Sequence, residues 1–188
     1  KSLGGKFAIR LGVGNKWRLG YAFAQGFSRE GAQLVLTYLG ERQKASIEEL
    51  AQGLNVSATL PCNVTKDEEL DALTAALAGM NRPLHAVVHS LAFANREDLS
   101  RPFAETSRAG FALAQDVSAY SLVAVARATA PAMTEGGSIS TLPYVGPTRG
   151  LPGSNIRGVG KAARETRQRC HATHPGRRGI GADARPPG

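Results

Sequence analysis

The feature that most constrains the fold is a regular alternation of short apolar runs with longer helical patterns over about the first 140 residues. The helical stretches carry apolar residues at helical spacing, whereas the runs between them have the length of buried strands. Repeated strand–helix–strand units of this kind predict a parallel sheet with helices on both faces and right-handed crossovers, a doubly wound three-layer α/β/α fold. The predicted strands span residues 6–12, 33–38, 56–62, 84–90 and 138–142, and the predicted helices span 18–29, 41–53, 66–79 and 107–130.

The turn after the first predicted strand is rich in glycine and reads Gly12-Val13-Gly14-Asn15. Ligands of doubly wound sheets bind at the carboxyl ends of the strands. Gly12 and Gly14 would let backbone amides approach a pyrophosphate at the start of the next helix. The spacing departs from GxGxxG because Trp17 occupies the position of the third glycine. On these residues alone, an ordinary glycine-rich turn is therefore an equal alternative.

The positive charge of the chain is concentrated in its last part. The sequence carries 23 Lys and Arg against 15 Asp and Glu, a formal net charge of +8. Residues 1–144 contain 14 basic and 13 acidic residues, whereas residues 145–188 contain 9 basic and 2 acidic residues. A basic tail makes a nucleic-acid-binding protein an alternative from another functional class. The arginines lack aromatic interleaving and an amphipathic period, so nucleic acid is the less favoured partner.

Hydropathy and cysteine content bear on the compartment. No apolar run in the sequence approaches the roughly 18 residues that a membrane span requires, so no membrane partner is expected. The sequence shows no signal peptide pattern, which would have a basic stretch, then an apolar stretch and then a cleavage site of small residues. Cys62 and Cys170 are too few to indicate a disulfide framework. We therefore expect a cytoplasmic protein.

Three segments carry a resemblance to a known family. They are the residues from His89 to Ala94, those from Asp116 to Ser121 and those from Tyr144 to Lys161. Together they resemble the NADH-dependent enoyl-acyl-carrier-protein reductases of the short-chain dehydrogenase/reductase superfamily. The resemblance covers roughly residues 3–163. It implies a Rossmann-type fold and an oxidoreductase of fatty-acid biosynthesis that reduces the trans-2 double bond of acyl-carrier-protein thioesters with NADH.

By this resemblance, the catalytic residues are Tyr144, Ser154 and Lys161. Reduction of the conjugated double bond generates an enolate whose oxygen must be stabilised and protonated. A phenol beside a lysine ammonium suits this task because its pKa falls toward neutrality there. In the family a tyrosine occupies the proton-donating position that holds Ser154 in this chain. Because a serine hydroxyl is a much poorer acid, a catalytically impaired or inactive homologue is the alternative reading.

The resemblance also implies the residues that contact the cofactor and the substrate. Ala94 and Tyr144 would contact the enoyl thioester. Arg18 and Leu19 replace a Ser-Ile pair of the family, and Arg18 together with Arg42 could favour a 2′-phosphate, so NADPH is a possible cofactor besides NADH. For Asn63, a role in capping a turn is as compatible with the residue type as a cofactor contact. The implied cofactor-binding residues are Gly12, Gly14, Arg18, Leu19, Leu39, Asn63, Val64, Ser90, Leu91, Ala92 and Lys161.

We predict two regions, a Rossmann-type nucleotide-binding and catalytic domain of residues 1–161 and an Arg-, Gly- and Pro-rich degraded tail of residues 162–188. The family follows its catalytic helix with a buried strand. Residues 179–187 contain an Asp, an Arg and two Pro, so we expect this strand to be missing or degraded. The family's cofactor loop and substrate lid would begin near Gly188, so the chain resembles a C-terminally truncated member.

Members of the family are usually homotetramers, which implies a homo-oligomer. The helix that carries Tyr120 and the helix after Ser154 are the interface candidates. Tyr120 itself is interpreted as a packing residue.

Several other polar residues require an interpretation. Arg10 interrupts the apolar first strand, and a buried unpaired guanidinium there would be costly unless its head reaches solvent. His85 and His89 flank a predicted buried strand and are interpreted as hydrogen-bonded core histidines. Cys170 and the neighbouring His171 and His174 lack a fourth ligand at suitable spacing, so no metal site is predicted.

Overall fold

A computed structural model of the chain describes residues 1–13, 19–142, 156, 158–163, 166 and 180–183. The strands are β1 (Phe7–Leu11), β2 (Gln33–Tyr38), β3 (Val56–Pro61), β4 (Ala86–His89), β5 (Gly137–Thr141) and β6 (Ile180–Asp183). They form one sheet in the order β3-β2-β1-β4-β5-β6, and every neighbouring pair is parallel. The strand order reverses between β1 and β4, which confirms the predicted doubly wound, Rossmann-type fold.

The helices follow the predicted stretches within a few residues at each end. The helix not predicted is α4, since five residues are too few to show a helical period. A short π-helical turn (Asp116–Tyr120) joins α5 to α6, and Ile156, residues 158–163 and Thr166 are also helical. The helices are α1 (Leu19–Arg29), α2 (Glu41–Ala51), α3 (Asp67–Gly79), α4 (Arg96–Ser100), α5 (Arg108–Gln115) and α6 (Ser121–Thr129).

The core lies on both faces of the sheet because alternate residues of a strand point to opposite faces. On one face, Ile9 and Leu11 of β1 belong to a cluster that includes Leu73 of α3 and Val125 of α6. On the other face, neighbouring strand residues pack against α1 and α2. That second cluster comprises Ala8, Val13, Ala24, Leu34, Leu36, Tyr38 and Ile47. The two clusters hold the strand ends in fixed positions relative to the helices that follow them.

The expectation that the strand within residues 179–187 is missing or degraded is wrong. Ile180–Asp183 forms β6, which pairs in parallel with β5 from Gly137 to Ser140. Pairing in parallel requires only backbone groups, and β6 ends at Asp183 before the residues Arg185, Pro186 and Pro187 that oppose strand formation. Among the described strands β6 lies at the edge of the sheet, where the requirements on a strand are least strict.

The helical stretch from Arg108 to Ala132 ends two residues beyond the predicted range of 107–130 and is strongly apolar. Its 25 residues contain a window with a mean hydropathy of 1.3, so by length and composition alone it could cross a membrane. Half of that window is buried inside the protein. Leu122, Val125 and Ala126 belong to the main core cluster. A buried core helix passes the same test of length and composition, and the packing of this one accounts for its apolar character.

Candidate active site at the carboxyl ends of the strands

Gly12 and Ser90 meet where the strand order reverses. The Ser90 amide donates a hydrogen bond to the carbonyl of Leu11 at 3.0 Å, which continues the β1–β4 pairing by one residue. Gly12 has a φ of 83°, and a Cβ atom on it would lie 2.3 Å from the Ser90 carbonyl oxygen and 2.9 Å from a Leu91 methyl. Only glycine fits this position, since both its conformation and its surroundings exclude a side chain. The structure therefore brings together Gly12, Ser90 and Leu91.

The segment after β4 is held against the helical layer by Ser118 in the π-helical turn. The Ser118 hydroxyl accepts a hydrogen bond from the Phe93 amide and donates one to the Phe93 carbonyl, each at 3.1 Å. Ala94 is buried in a small cluster with Ala114 and Ile156, whereas Ala92 is exposed. The sequence reasoning did not identify Ser118 as the residue that fixes this segment, although it lies within one of the three resemblance segments.

Lys161 lies at the carboxyl end of β5. Its ammonium donates a hydrogen bond to the carbonyl of Leu142 at 3.2 Å, and Leu142 directly follows the strand. The side chain is half-buried. The helical residues around Lys161 pack closely on the π-helical turn, since a Cβ atom on Gly160 would lie 3.0 Å from the Ser118 Cβ. Ser118 therefore contacts both the β4 segment and the Lys161 helix. Tyr144 and Ser154 lie outside the described residues.

The candidate residues at the ends of β2 and β3 differ in exposure and hydrogen bonding. Leu39 is 54% exposed, and its amide donates to the Gln43 side chain at 3.1 Å. The Asn63 side-chain oxygen accepts hydrogen bonds from the Thr65 amide at 3.1 Å and from the Thr65 hydroxyl at 2.8 Å. Asn63 thus caps its turn, as one of its two sequence readings proposed. Val64 is buried in the main core cluster.

Arg10 is the most unusual residue near these strand ends. Its side chain is only 2% exposed, and the described residues provide no hydrogen-bond acceptor for Nε, Nη1 or Nη2. The guanidinium carbon lies 5.5 Å from the centre of the Phe23 ring. Desolvation by burial lowers the pKa of Arg10 to about 10, so the side chain stays protonated at neutral pH. The guanidinium does not reach solvent, so its burial lowers the free energy of unfolding.

Both histidines interpreted as hydrogen-bonded core residues have polar partners, but only His89 is buried, whereas His85 is partly exposed. The Phe7 amide donates to His85 Nδ1 at 3.2 Å, and His85 Nε2 lies 3.4 Å from the Glu135 carboxylate. His89 Nε2 is 2.8 Å from the Ser121 hydroxyl, which itself donates to the Val117 carbonyl at 2.6 Å. Ser121 therefore accepts from His89, and Nε2 of that ring carries a proton.

Within the described part of the chain, no three His, Cys, Asp or Glu side chains cluster as metal ligands would. Cys170, His171 and His174 lie outside it, as do Gly14 and Arg18. For Leu19 the structure describes the backbone, which begins α1.

The described residues fit a dinucleotide. The side-chain-free Gly12 packs its backbone directly against Ser90 and Leu91 at the strand ends, and Leu39 presents an exposed apolar side chain at the end of the neighbouring strand β2. The guanidinium of Arg10, which has no hydrogen-bond partner among the described residues, adds a buried positive charge near the same turn. A negatively charged, partly flat ligand that lies across the ends of β2, β1 and β4 matches these features.

Comparison with known proteins gives matches over nearly the whole chain. A family model described as enoyl-(acyl carrier protein) reductase matches residues 12–188, which includes the segment expected to be a degraded tail. The enoyl-acyl-carrier-protein reductase (NADH) FabI of Bacillus cereus is 43% identical over 184 residues, which are 97% of this chain and 72% of that protein.

Solved structures agree with the sequence matches. The Bacillus cereus enoyl-acyl carrier protein reductase with NADP+ and indole naphthyridinone superposes with a TM-score of 0.95 at 42% identity, over 98% of this chain and 72% of that chain. The reductase from Anaplasma phagocytophilum in complex with NAD superposes with a TM-score of 0.91 at 35% identity, over 95% of this chain and 68% of that chain.

Proposed function

The chain belongs to the enoyl-acyl-carrier-protein reductase family, and we propose on that basis that it reduces the trans-2 double bond of acyl-carrier-protein thioesters with a nicotinamide dinucleotide. The reaction is a step of fatty-acid biosynthesis. NADH is the expected cofactor, because the related reductase of Bacillus cereus is named for it. The observation that carries the proposal is the position of the Lys161 ammonium, 3.2 Å from the Leu142 carbonyl at the strand ends.

The proposed roles follow from charge and position. When bound, the nicotinamide supplies a hydride to the β carbon of the thioester. The Lys161 ammonium would stabilise negative charge on the neighbouring hydroxyl and hold the nicotinamide ribose. Tyr144 would donate a hydrogen bond or a proton to the enolate oxygen. Ser154 would occupy the position of the second hydroxyl and, as a weaker acid, would contribute less to protonation than a phenol.

The proposed cofactor contacts lie along the same edge of the sheet. Gly12 and Gly14 would admit the pyrophosphate, with Arg18 and Leu19 at the start of α1. Ser90, Leu91 and Ala92 would lie below the ribose and nicotinamide, and Ala94 would contact the substrate. The support for this set is the hydrogen bond of the Ser90 amide to Leu11 and the fixing of Phe93 by Ser118. Leu39, Asn63 and Val64 would border the adenosine.

We also propose that the protein is a cytoplasmic homo-oligomer. Large apolar side chains are exposed on α5, the π-helical turn, α6 and the Lys161 helix, a combination typical of an interface. Tyr120 is 42% exposed, so it is not a packing residue within the described part of the chain. Its exposed ring suits a contact between subunits instead. The exposed apolar residues of these elements are Phe111, Leu113, Tyr120, Val123 and Val159.

The decisive experiment measures reduction of crotonyl thioesters with NADH and with NADPH. Thioester-dependent oxidation of the dinucleotide by the wild-type chain supports the proposal. Binding of NADH without turnover, together with turnover by Ser154→Tyr, supports the impaired homologue instead. The increase in turnover rate on Ser154→Tyr measures the contribution of the phenol to catalysis. A factor of about 10²–10⁴ is typical for such an acid.

The nucleic-acid alternative has its own test. Retention on heparin that is lost when residues 162–188 are deleted, combined with no binding of either dinucleotide, would favour that alternative over a reductase.

A further inference from the structure

Arg10 places a charge in the interior that nothing in the described part of the chain neutralises. The ion pairs between described residues do not include it, and none of its three nitrogens has a hydrogen-bond partner there. Its one described electrostatic contact is the Phe23 ring, 5.5 Å from the guanidinium carbon. A cation–π contact of this kind compensates only part of the desolvation of a full charge.

The guanidinium points toward the Gly12 turn and the first turn of α1. Its Nη2 atom lies 3.1 Å from the position of a Cβ atom on Gly20, and the carbonyl oxygens of Gly12 and Val13 lie 2.8 Å and 2.7 Å from that same position. Gly20 is the second residue of α1. The backbone amides of a first helical turn have no partners within the helix and carry the positive end of its dipole. Arg10 therefore adds positive charge where the helix already presents it.

Two positive groups that converge in a buried location create a strong preference for an anion. In an interior of low effective dielectric, a negative charge a few ångströms away interacts far more strongly than it would in water. A role in packing alone would not require a charged head, since an unbranched apolar side chain could fill the same space beside Phe23. The arrangement thus favours an anionic ligand at the adjoining turn.

We propose that Arg10 is an affinity-determining residue for the diphosphate of the dinucleotide, acting from below the Gly12 turn through its uncompensated charge. This inference rests on the proposed function, because it takes the diphosphate group to lie at that turn. The effect does not require a direct hydrogen bond. The diphosphate would supply the counter-charge that the described residues do not.

Binding of three probes, with and without phosphate groups, tests whether Arg10 acts on the diphosphate. Quenching of the fluorescence of Trp17, the one tryptophan of the chain, reports NADH binding, and thermal unfolding reports the effect of NADH, inorganic pyrophosphate and adenosine. Relative to the wild type, Arg10→Met is expected to weaken NADH binding about tenfold and to abolish the stabilisation by pyrophosphate. Its response to adenosine, which has no phosphate, should be unchanged. Arg10→Lys keeps the charge and should retain most of the NADH affinity.

The exposed Arg29, whose side chain is 82% exposed, supplies the matched control. Arg29→Met removes the same charge from the last turn of α1, away from the Gly12 turn, and should bind all three probes as the wild type does. Equal pyrophosphate shifts in the wild type and Arg10→Met, or no shift in either, would overturn the proposal. Loss of thioester reduction with intact, Arg10-dependent NADH binding would instead contradict the proposed function and leave this inference standing.

Discussion

The two halves of the sheet differ in whether their buried polar side chains have hydrogen-bond partners among the described residues. Around β4 and β5, polar side chains satisfy one another: His89 contacts Ser121, Ser121 donates to Val117, and the Thr141 hydroxyl donates to the His89 carbonyl at 3.1 Å. In β1 the Arg10 guanidinium is equally buried and has no partner among the described residues. The first half carries Lys161 and is already organised, whereas the second carries a charge that a ligand can neutralise.

This contrast suggests a division of labour in the proposed reductase. Groups that stabilise a reacting oxygen act best when they are fixed before the substrate arrives. Groups that bind a cofactor can remain unsatisfied in its absence, because the ligand then supplies the missing interaction. Substitutions in each half should therefore affect different properties of the protein.

The organised half is tested most strongly at Lys161. Lys161→Met should lower thioester reduction by about 10³-fold, because it removes the charge that favours the ionised hydroxyl, while the fold remains intact. Turnover is measured with crotonyl thioester in both the wild-type and the Ser154→Tyr background. Lys44→Met, which removes an exposed charge on α2, is the control. Equal activity of Lys161→Met and its parent would refute the assignment.

The junction between the halves is tested at Gly12. Gly12→Ala should lower the free energy of unfolding by about 3 kcal/mol, because the new Cβ atom meets the Ser90 carbonyl and the φ of 83° disfavours it. Urea unfolding measures this change. Gly26→Ala is the control, since that position in α1 has open space and should gain up to about 1 kcal/mol. A Gly12→Ala protein as stable as the wild type would mean that β1 and β4 do not meet there.

The unsatisfied half is tested at Arg10. Arg10→Met should raise the free energy of unfolding by about 2 kcal/mol at neutral pH, because an uncompensated buried charge disappears. Burial lowers the pKa of Arg10 to about 10 in the folded state, so above that pH the unfolded state binds more protons than the folded state. Wild-type stability therefore gains a contribution as the pH rises through about 10, and the advantage of Arg10→Met should shrink there.

Urea unfolding of both proteins at neutral pH and at pH about 11 checks this prediction, and their difference cancels the titration of groups that they share. Arg29→Met should change stability little at either pH. A destabilised Arg10→Met protein would indicate that the guanidinium is paired in solution.

The smallest effect is expected at Ser121. Ser121→Ala removes the acceptor of His89 Nε2 and should lower the free energy of unfolding by about 1 kcal/mol, as for other buried hydrogen bonds. Ser100→Ala removes an exposed hydroxyl that bonds within α4 and should be nearly neutral. If both substitutions cost the same in urea unfolding, the polar network around His89 contributes no particular stability.

Much of the fold could be predicted from the sequence because strand and helix periods are local properties. The limits of β2 coincide with the predicted run of residues 33–38. The predictions for β1, β3 and β4 are one to three residues too long, and the prediction for β5 has the correct length but is shifted by one residue. The prediction for β6 was wrong because it judged a strand by side-chain composition. A four-residue edge strand needs only backbone partners, and those are supplied by β5, distant in sequence.

The candidate site was predictable only in part. The glycine turn and the residues after β4 lie in short motifs, so the sequence located them at strand ends. The double contact of Ser118 with Phe93 and Gly160 could not be read from spacing, because it joins three segments that only the fold brings together. The same holds for Asn63, whose choice between a cofactor contact and a turn cap depends on where Thr65 lies.

By itself, the sequence determined the alternation of strands and helices, the glycine turn and the family of the chain, because each of these depends on neighbouring residues. The tertiary structure decided which buried polar groups are satisfied. Partners such as His89 and Ser121 are 32 positions apart, and they meet only when a strand and a helix pack together. Arg10 shows the converse, since a residue that looked merely misplaced in an apolar strand lies below the turn where an anion would bind.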